Sequence, residues 1–205
     1  MSDLKTNYEK WYEGDEYYWG LEPAELCYEI LKLLPDDPTL KILDIGCGEG
    51  KDAVYFAKKG YQVTAFDITE NGIRKTKALA EKEGVKINAF VADINDFEIN
   101  EKFDVIYSTG TIQYLDEDKK TDFFRKVKEM TNVNGYNWFN VFVDKPFIPL
   151  PPDWDENERM WNTAELFSYY PDWRFERIDE TVFECHSSGV PHLHCMDVAV
   201  VQKMK

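Results

Sequence analysis

Apolar positions recur along this chain with two different periods. Short continuous apolar runs fall at 41–45, 62–67, 86–92, 103–108 and 137–143, while apolar residues return every three or four positions near 50–59, 69–83 and 118–130. The first pattern suits strands buried on both faces, and the second suits helices with one buried stripe. Gly60 and Gly84 stand where helix C-caps belong and Thr69 where an N-cap belongs. Ahead of the first strand, Leu26, Ile30, Leu33 and Leu34 predict a helix over 22–34, with Pro23 in its first turn and "PDDP" closing it at 35–38. Strand and helix in alternation predict an α/β, doubly wound, Rossmann-like fold, because right-handed crossovers carry the chain over a parallel sheet and cover both its faces.

The tail breaks that rhythm. A proline-rich stretch, "DKPFIPLPPDW" at 144–154, precedes a short helix predicted over 163–170 and two strand-like segments at 174–186 and 192–203. The loop between them, "SSGVP", is too short for a crossover, so the last two strands are expected to form an antiparallel hairpin, giving a mostly parallel seven-stranded sheet. The proline-rich stretch is either a loop over the active site or a connector.

Composition narrows the partners. With 24 basic against 39 acidic side chains the formal charge is −15, which repels nucleic acid phosphates and anionic lipid. The longest apolar runs fall short of a bilayer span, and the start "MSDLKTNYEK" lacks the basic and apolar regions of a signal peptide. The expectation is a soluble, cytoplasmic protein acting on a small molecule, without nucleic acid or membrane. Cys27, Cys47, Cys185 and Cys195 are scattered without framework spacing, so they are expected as thiols.

The candidate chemistry starts at "ILDIGCGEG", 42–50, where an apolar run stops at an acid and turns through three glycines. In an open α/β sheet, ligands sit beyond the carboxyl ends of the strands where strand order reverses, which places Gly46, Gly48 and Gly50 at a site. A dinucleotide loop needs a third glycine where Lys51 stands, and a kinase-type phosphate loop needs Ser or Thr where Asp52 stands. Glu49 and Asp52 further discourage a pyrophosphate. Asp67, ending the second strand, is placed to accept from both hydroxyls of a ribose. Asp93 can accept from an exocyclic amine, Ile94 lies beside an adenine face, and Ser108, Thr109 and Gly110 form a small polar edge at the fourth strand end. Four strand ends thus describe a pocket for an adenosine with a small charged extension.

These residues resemble the class I S-adenosylmethionine-dependent methyltransferases, through "DIGCGEG", Asp67 and "ADI", over nearly the whole chain. The resemblance implies a single methyltransferase domain over 1–205: a cap in 1–34, a cofactor-binding core in 40–143, and a lid loop, helix and hairpin in 144–205. It implies S-adenosylmethionine as cofactor, held by Trp19, Asp44, Gly46, Cys47, Gly48, Asp67, Ile68, Asp93, Ile94, Ser108 and Thr109. A cationic cofactor of this kind suits an acidic, aromatic pocket. The segments "YYWGLEPAELCYEILKLL", "FDVIYSTGTIQYL", "NGYNWFNVF" and Glu184-Cys185-His186 are similar to the tellurite-resistance TehB group, which implies a metalloid oxyanion such as tellurite or selenite as acceptor. Here Ser187 follows His186 where the group tends to carry an arginine, and no arginine occurs after Arg177, so an arginine-built oxyanion clamp is missing.

All three histidines, His186, His192 and His194, lie in the last hairpin. If His186 faces His192, then Glu184 faces His194, all four share one face, and Cys185 and Cys195 point to the other. Such a set is open to three readings, namely packed or solvated histidines, a substrate contact and a metal site, and no metal ligand is assigned. Transfer of a methyl group to a soft lone pair needs positioning more than a base, with His186 and Tyr114 as the acceptor-side, catalytic candidates. The aromatic segment 8–20 is expected either to close over the cofactor, Tyr18 and Trp19 nearest, or to bury its rings on the sheet edge. The rivals are a methyltransferase for a small thiol, halide or carboxylate, a nicotinamide-dependent oxidoreductase, and a non-catalytic cofactor- or metal-binding protein.

Overall fold

A computed structural model describes residues 2–152, 154, 159–186 and 189–205. Two helices, α1 (Ser2–Trp11) and α2 (Glu25–Leu31), lead into β1 (Lys41–Ile45), α3 (Lys51–Lys58), β2 (Gln62–Asp67), α4 (Glu70–Lys82), β3 (Ile87–Val91) and β4 (Phe103–Ser108). After a 3-10 turn at Ile112–Tyr114 come α5 (Lys120–Met130), β5 (Thr131–Phe142), α6 (Glu165–Ser168), β6 (Arg174–Cys185) and β7 (His192–Gln202). The seven strands form one sheet in the order β3-β2-β1-β4-β5-β7-β6. β1 to β5 run parallel, and β7 is antiparallel to both β5 and β6. Strand order reverses beside β1, between β2 and β4, which sets the crevice for a ligand.

Why both faces are buried follows from the strand pleat. Neighbours Trp138 and Phe139 on β5 enter opposite cores: Trp138 joins Cys27, Ile30, Phe56 and Tyr107 under α2 and α3, and Phe139 joins Phe124, Trp161, Leu166 and Tyr170 under α5 and α6. Thr69 caps α4 by accepting from the Gly72 amide at 3.2 Å, as its position implied.

The structure departs from expectation in four places. α2 is shorter than 22–34, because the Ala24 amide donates to Asp52 Oδ1 (2.8 Å) and Leu34 precedes Pro35, a position that disfavours helix. The segment before it holds a helix, α1, foreshadowed by Leu4, Tyr8 and Trp11 at helical spacing. β5 begins at Thr131, six residues before the expected 137, with a register shift against β4 where Asn134 takes φ 67°; the Asn134 amide donates to the Lys203 carbonyl at 2.7 Å. The short tail helix is confined to α6 because Ala164, at φ 63°, precedes it, its amide bound to Asp197 Oδ2 at 2.8 Å.

No helix among the described residues is long and apolar enough to cross a membrane.

Candidate active site

The loop after β1 is built by its backbone. The Gly46 and Cys47 amides both donate to the Phe66 carbonyl (2.8 and 2.9 Å), tying the loop to the end of β2. Gly46 takes φ 74°, and a Cβ there would lie 2.0 Å from Thr111 Oγ1, so only glycine fits. Asp67 Oδ2 accepts from the Gly48 amide (2.9 Å), and its Oδ1 accepts from the Thr69 amide and hydroxyl (2.9 and 2.6 Å). Asp67 is therefore a strut of the loop as well as the sequence-assigned ribose ligand, and replacing it disturbs both.

Around this loop Asp44, Glu49, Asp52 and Asp67 are buried, against a single buried lysine, Lys75. Lys75 pairs with Glu49 at 2.6 Å and donates to the Glu16 carbonyl. One of the two acids that argued against a pyrophosphate is thus neutralised by a residue 26 positions away, a partner no local motif announced. Asp52 is also spoken for, accepting from the Ala24 amide and from the Tyr107 hydroxyl (2.9 Å). Asp44 is not: its Oδ2 is buried without a hydrogen-bond partner among the described residues. Burial, reinforced by Asp52 and Asp67, holds its carboxyl well above the ordinary range. An orphaned buried carboxylate beneath bare backbone fits an ammonium-bearing ligand, since a cation both satisfies the oxygen and restores the charge. Burial also pushes the Cys47 thiol up, so that it serves as wall and not as nucleophile.

The N-terminal segment covers the loop. Glu9 of α1 accepts from the Glu70 and Asn71 amides (2.6 and 3.0 Å) at the start of α4, a carboxylate at the positive end of a helix. Tyr12, 3% exposed, sets its hydroxyl 3.1 Å from where a Cβ on Gly48 would lie, and accepts from Trp19 Nε1 at 2.9 Å. The Trp19 amide donates to Glu49 Oε2. Tyr18 meets Trp19 edge to face (ring centroids 4.8 Å apart) as well as stacking on Trp11, and both Tyr18 and Trp19 are nearly half exposed, so Tyr12 is the buried ring against the loop. Tyr12 and Thr111 are not singled out individually by the sequence; Tyr12 falls within the aromatic segment 8–20, one residue past α1, and Thr111 lies three residues past the end of β4.

The remaining strand ends converge unevenly. Ser108 is fully buried and donates to the Ile45 carbonyl (2.8 Å), bracing β4 against β1, while Thr109 and Ile68 are half-buried at the same edge. Asp93 Oδ1 accepts from the Asn95 amide, and Ile94 is buried in the core under α5. Tyr114 lies 3.2 Å, hydroxyl to hydroxyl, from Tyr8 of α1, so the acceptor-side candidate meets the covering arm. The proline-rich stretch runs along this edge: Trp154 packs on Phe142 and His194 (ring centroids 4.9 and 4.6 Å apart), and Arg159 reaches the Tyr114 carbonyl at 3.0 Å and Asp116. Asp153 lies outside the described residues.

The hairpin register corrects the expected histidine group. Cys185 pairs with His192, Glu184 with Leu193 and Phe183 with His194. The assumed pairing was off by one residue, which exchanges faces because side chains alternate with period two. His192 and His194 share their face with Cys185, while Glu184 sits on the other. His186 Nε2 lies 2.9 Å from Glu184 Oε1, with both side chains exposed. His186 follows the outermost strand, β6, so β5 and β7 lie between it and β4, a separation of roughly 14 Å at about 4.8 Å per strand. Ser187 and Ser188 of the hairpin loop lie outside the described residues.

Residues 27–191 match the family model described as tellurite resistance protein TehB. A curated relative, the probable S-adenosyl-L-methionine-dependent methyltransferase TehB of Haemophilus influenzae, is 34% identical over 148 residues, covering 72% of this chain and 51% of its own. The chain spans about half the length of the curated relatives it matches. The crystal structure of TehB from Haemophilus influenzae superposes with a TM-score of 0.78 at 27% identity, covering 97% of this chain and 66% of that one. Phosphoethanolamine N-methyltransferase 2 of Haemonchus contortus, solved with S-adenosyl-L-methionine, shares the fold at a TM-score of 0.70 and 17% identity, covering 99% of this chain and 57% of its own.

Proposed function

Because this chain belongs to the TehB family of class I S-adenosylmethionine-dependent methyltransferases, we propose that it transfers a methyl group from S-adenosylmethionine to a small acceptor with a soft lone pair. The observation that carries this reading is the orphaned Asp44 Oδ2 beneath the glycine loop. When bound, the cofactor supplies a methyl group on a sulfonium that departs as a neutral thioether. Asp44 would accept from its ammonium, Asp67 from its ribose hydroxyls and Asp93 from its adenine amine; Gly46 and Gly48 would let it approach the backbone beside Cys47, and Ile68, Ile94, Ser108 and Thr109 would complete the walls. Tyr12 and Trp19 exclude water from above. Tyr12 packs against the loop at Gly48, and Thr111 packs against it at Gly46.

A soft acceptor attacks without first losing a proton, so these residues contribute by alignment. We assign acceptor contact to Tyr114, on the loop after β4. His186, held by Glu184 at the outer edge, is the second acceptor-side candidate, with no part in cofactor binding. Arg177, the last arginine of the chain, is engaged by Glu29 and Asp179. Arg159, beside Tyr114, is likewise paired with an acid, Asp116, and with both guanidiniums so engaged we favour a soft metalloid such as selenite or tellurite, or a small thiol, held by packing.

Calorimetric titration of S-adenosylhomocysteine into the chain tests the cofactor assignment, and silence from both this product and the methyl donor ends it. A labelled-cofactor screen against tellurite, selenite and small thiols then separates the acceptors. Turnover of a thiol alone removes the metalloid reading. Tyr114→Phe is expected to lower turnover more than His186→Ala does.

A further inference from the structure

The corrected hairpin register assembles a group that the methyl-transfer reading does not use. Cys185, His192 and His194 each offer one donor atom, and these three atoms lie within 4.8 Å of one another. The two imidazoles approach Nε2 to Nε2 at 3.0 Å. A carbonyl can only accept, so His192 Nδ1, 2.8 Å from the Val190 carbonyl, carries the ring proton and leaves Nε2 with its lone pair toward His194. This is how the outer nitrogen of a metal-binding histidine is commonly anchored. His194 is 5% exposed and walled by the rings of Phe142, Phe183 and Trp154, with Phe183 and Trp154 centroids at 5.6 and 4.6 Å.

We propose that Cys185, His192 and His194 form a binding site for a borderline divalent cation of the zinc class at the hairpin end. One sulfur and two imidazole nitrogens are a donor set that zinc accepts, whereas calcium and magnesium require oxygen. Tetrahedral zinc places two nitrogens about 3.3 Å apart at its usual bond lengths of about 2.0 Å, so the observed 3.0 Å needs only a small opening of the pair. On binding, the cation takes the place of the proton between the two rings, which is re-bound through solvent at His194 Nδ1 so that both imidazoles ligate neutral through Nε2, and the Cys185 thiol releases its own proton to solvent. Three protein donors leave a fourth position for water or a small anion. The site staples the ends of β6 and β7 beneath Trp154, and it stands apart from the cofactor loop by the width of β5 and β4.

The test uses the full chain made without a histidine tag, loaded with zinc chloride and dialysed. About one zinc per chain is expected to remain, falling about tenfold or more in His194→Ala and in Cys185→Ser and unchanged in His186→Ala, whose ring pairs with Glu184. Cobalt(II) should give the near-ultraviolet thiolate charge-transfer band in the wild type and lose it in Cys185→Ser. A readout free of variants is alkylation of Cys185, the half-buried thiol beside three buried ones: zinc should slow it and EDTA restore it. No retained zinc with unchanged alkylation overturns the proposal, as does copper(I) retained in preference to zinc, or loss of zinc in His186→Ala alone. Methyl transfer is not read in any arm, so failure here leaves the cofactor assignment standing.

Discussion

The loop after β1, in the middle of the sheet, and the hairpin turn between β6 and β7, at its end, are of similar length on the same edge and are built on different principles. In the loop after β1, residues 46–50, the proposed cofactor contacts sit in main chain and in acids whose sequence neighbours place them; Asp44, Gly46 and Gly48 need only the local strand-turn-helix to converge. At the hairpin end, Cys185, His192 and His194 converge through pairing between two strands, where one residue of slip would replace the group with His186 and Glu184. Chemistry written in backbone conformation survives a poor knowledge of the fold, and chemistry written in cross-strand pairing does not.

The sharpest way to break this contrast is through the buried Lys75–Glu49 pair, since it makes the supposedly local loop depend on α4. Lys75→Met leaves Glu49 buried without its partner and is expected to cost about 3–5 kcal/mol in urea unfolding. The double variant with Glu49→Gln should recover much of that loss; if it recovers none, the pair is not what holds the loop. Next comes Gly46→Ala, which adds left-handed strain to a clash with Thr111 and should cost about 2–4 kcal/mol.

Asp44→Asn separates binding from folding. It removes the charged acceptor and is expected to weaken S-adenosylhomocysteine binding by about 2 kcal/mol while leaving the melting temperature equal or higher. Because burial raises the Asp44 carboxyl while an ammonium favours its ionised form, wild-type binding should tighten as pH rises from acid to neutral. The Asn variant should show a flatter profile by calorimetry.

In the other half of the sheet, Asp197 gives a smaller, pH-dependent effect. Burial pushes its carboxyl up to about 6, with Oδ2 holding the Ala164 amide. The fold thus favours the protonated form, and this contribution is whole below the unfolded-chain value of about 3.9 and lost as pH rises through about 6. Across that window the melting temperature of the wild type should fall relative to Asp197→Asn, and parallel profiles would deny Asp197 the role. The smallest change is expected for Glu184→Gln. Its ion pair with His186 is exposed on both sides, so less than about 1 kcal/mol should be lost in thermal unfolding.

By itself the sequence determined the strand order's ingredients and the cofactor loop. The apolar runs marked five strands because strands buried on both faces must be apolar, the strand-like tail segments marked the last two, and "DIGCGEG" with Asp67 marked the crevice because a left-handed turn and a strand-end acid are local properties. Tertiary structure alone decided that Lys75 neutralises Glu49, that Tyr12 and Thr111 pack on the glycines, and that β7 pairs β6 with Cys185 opposite His192. Each of these joins residues far apart along the chain or across a turn. Such contacts depend on register and packing, which hydrophobic pattern constrains to a face but not to a partner.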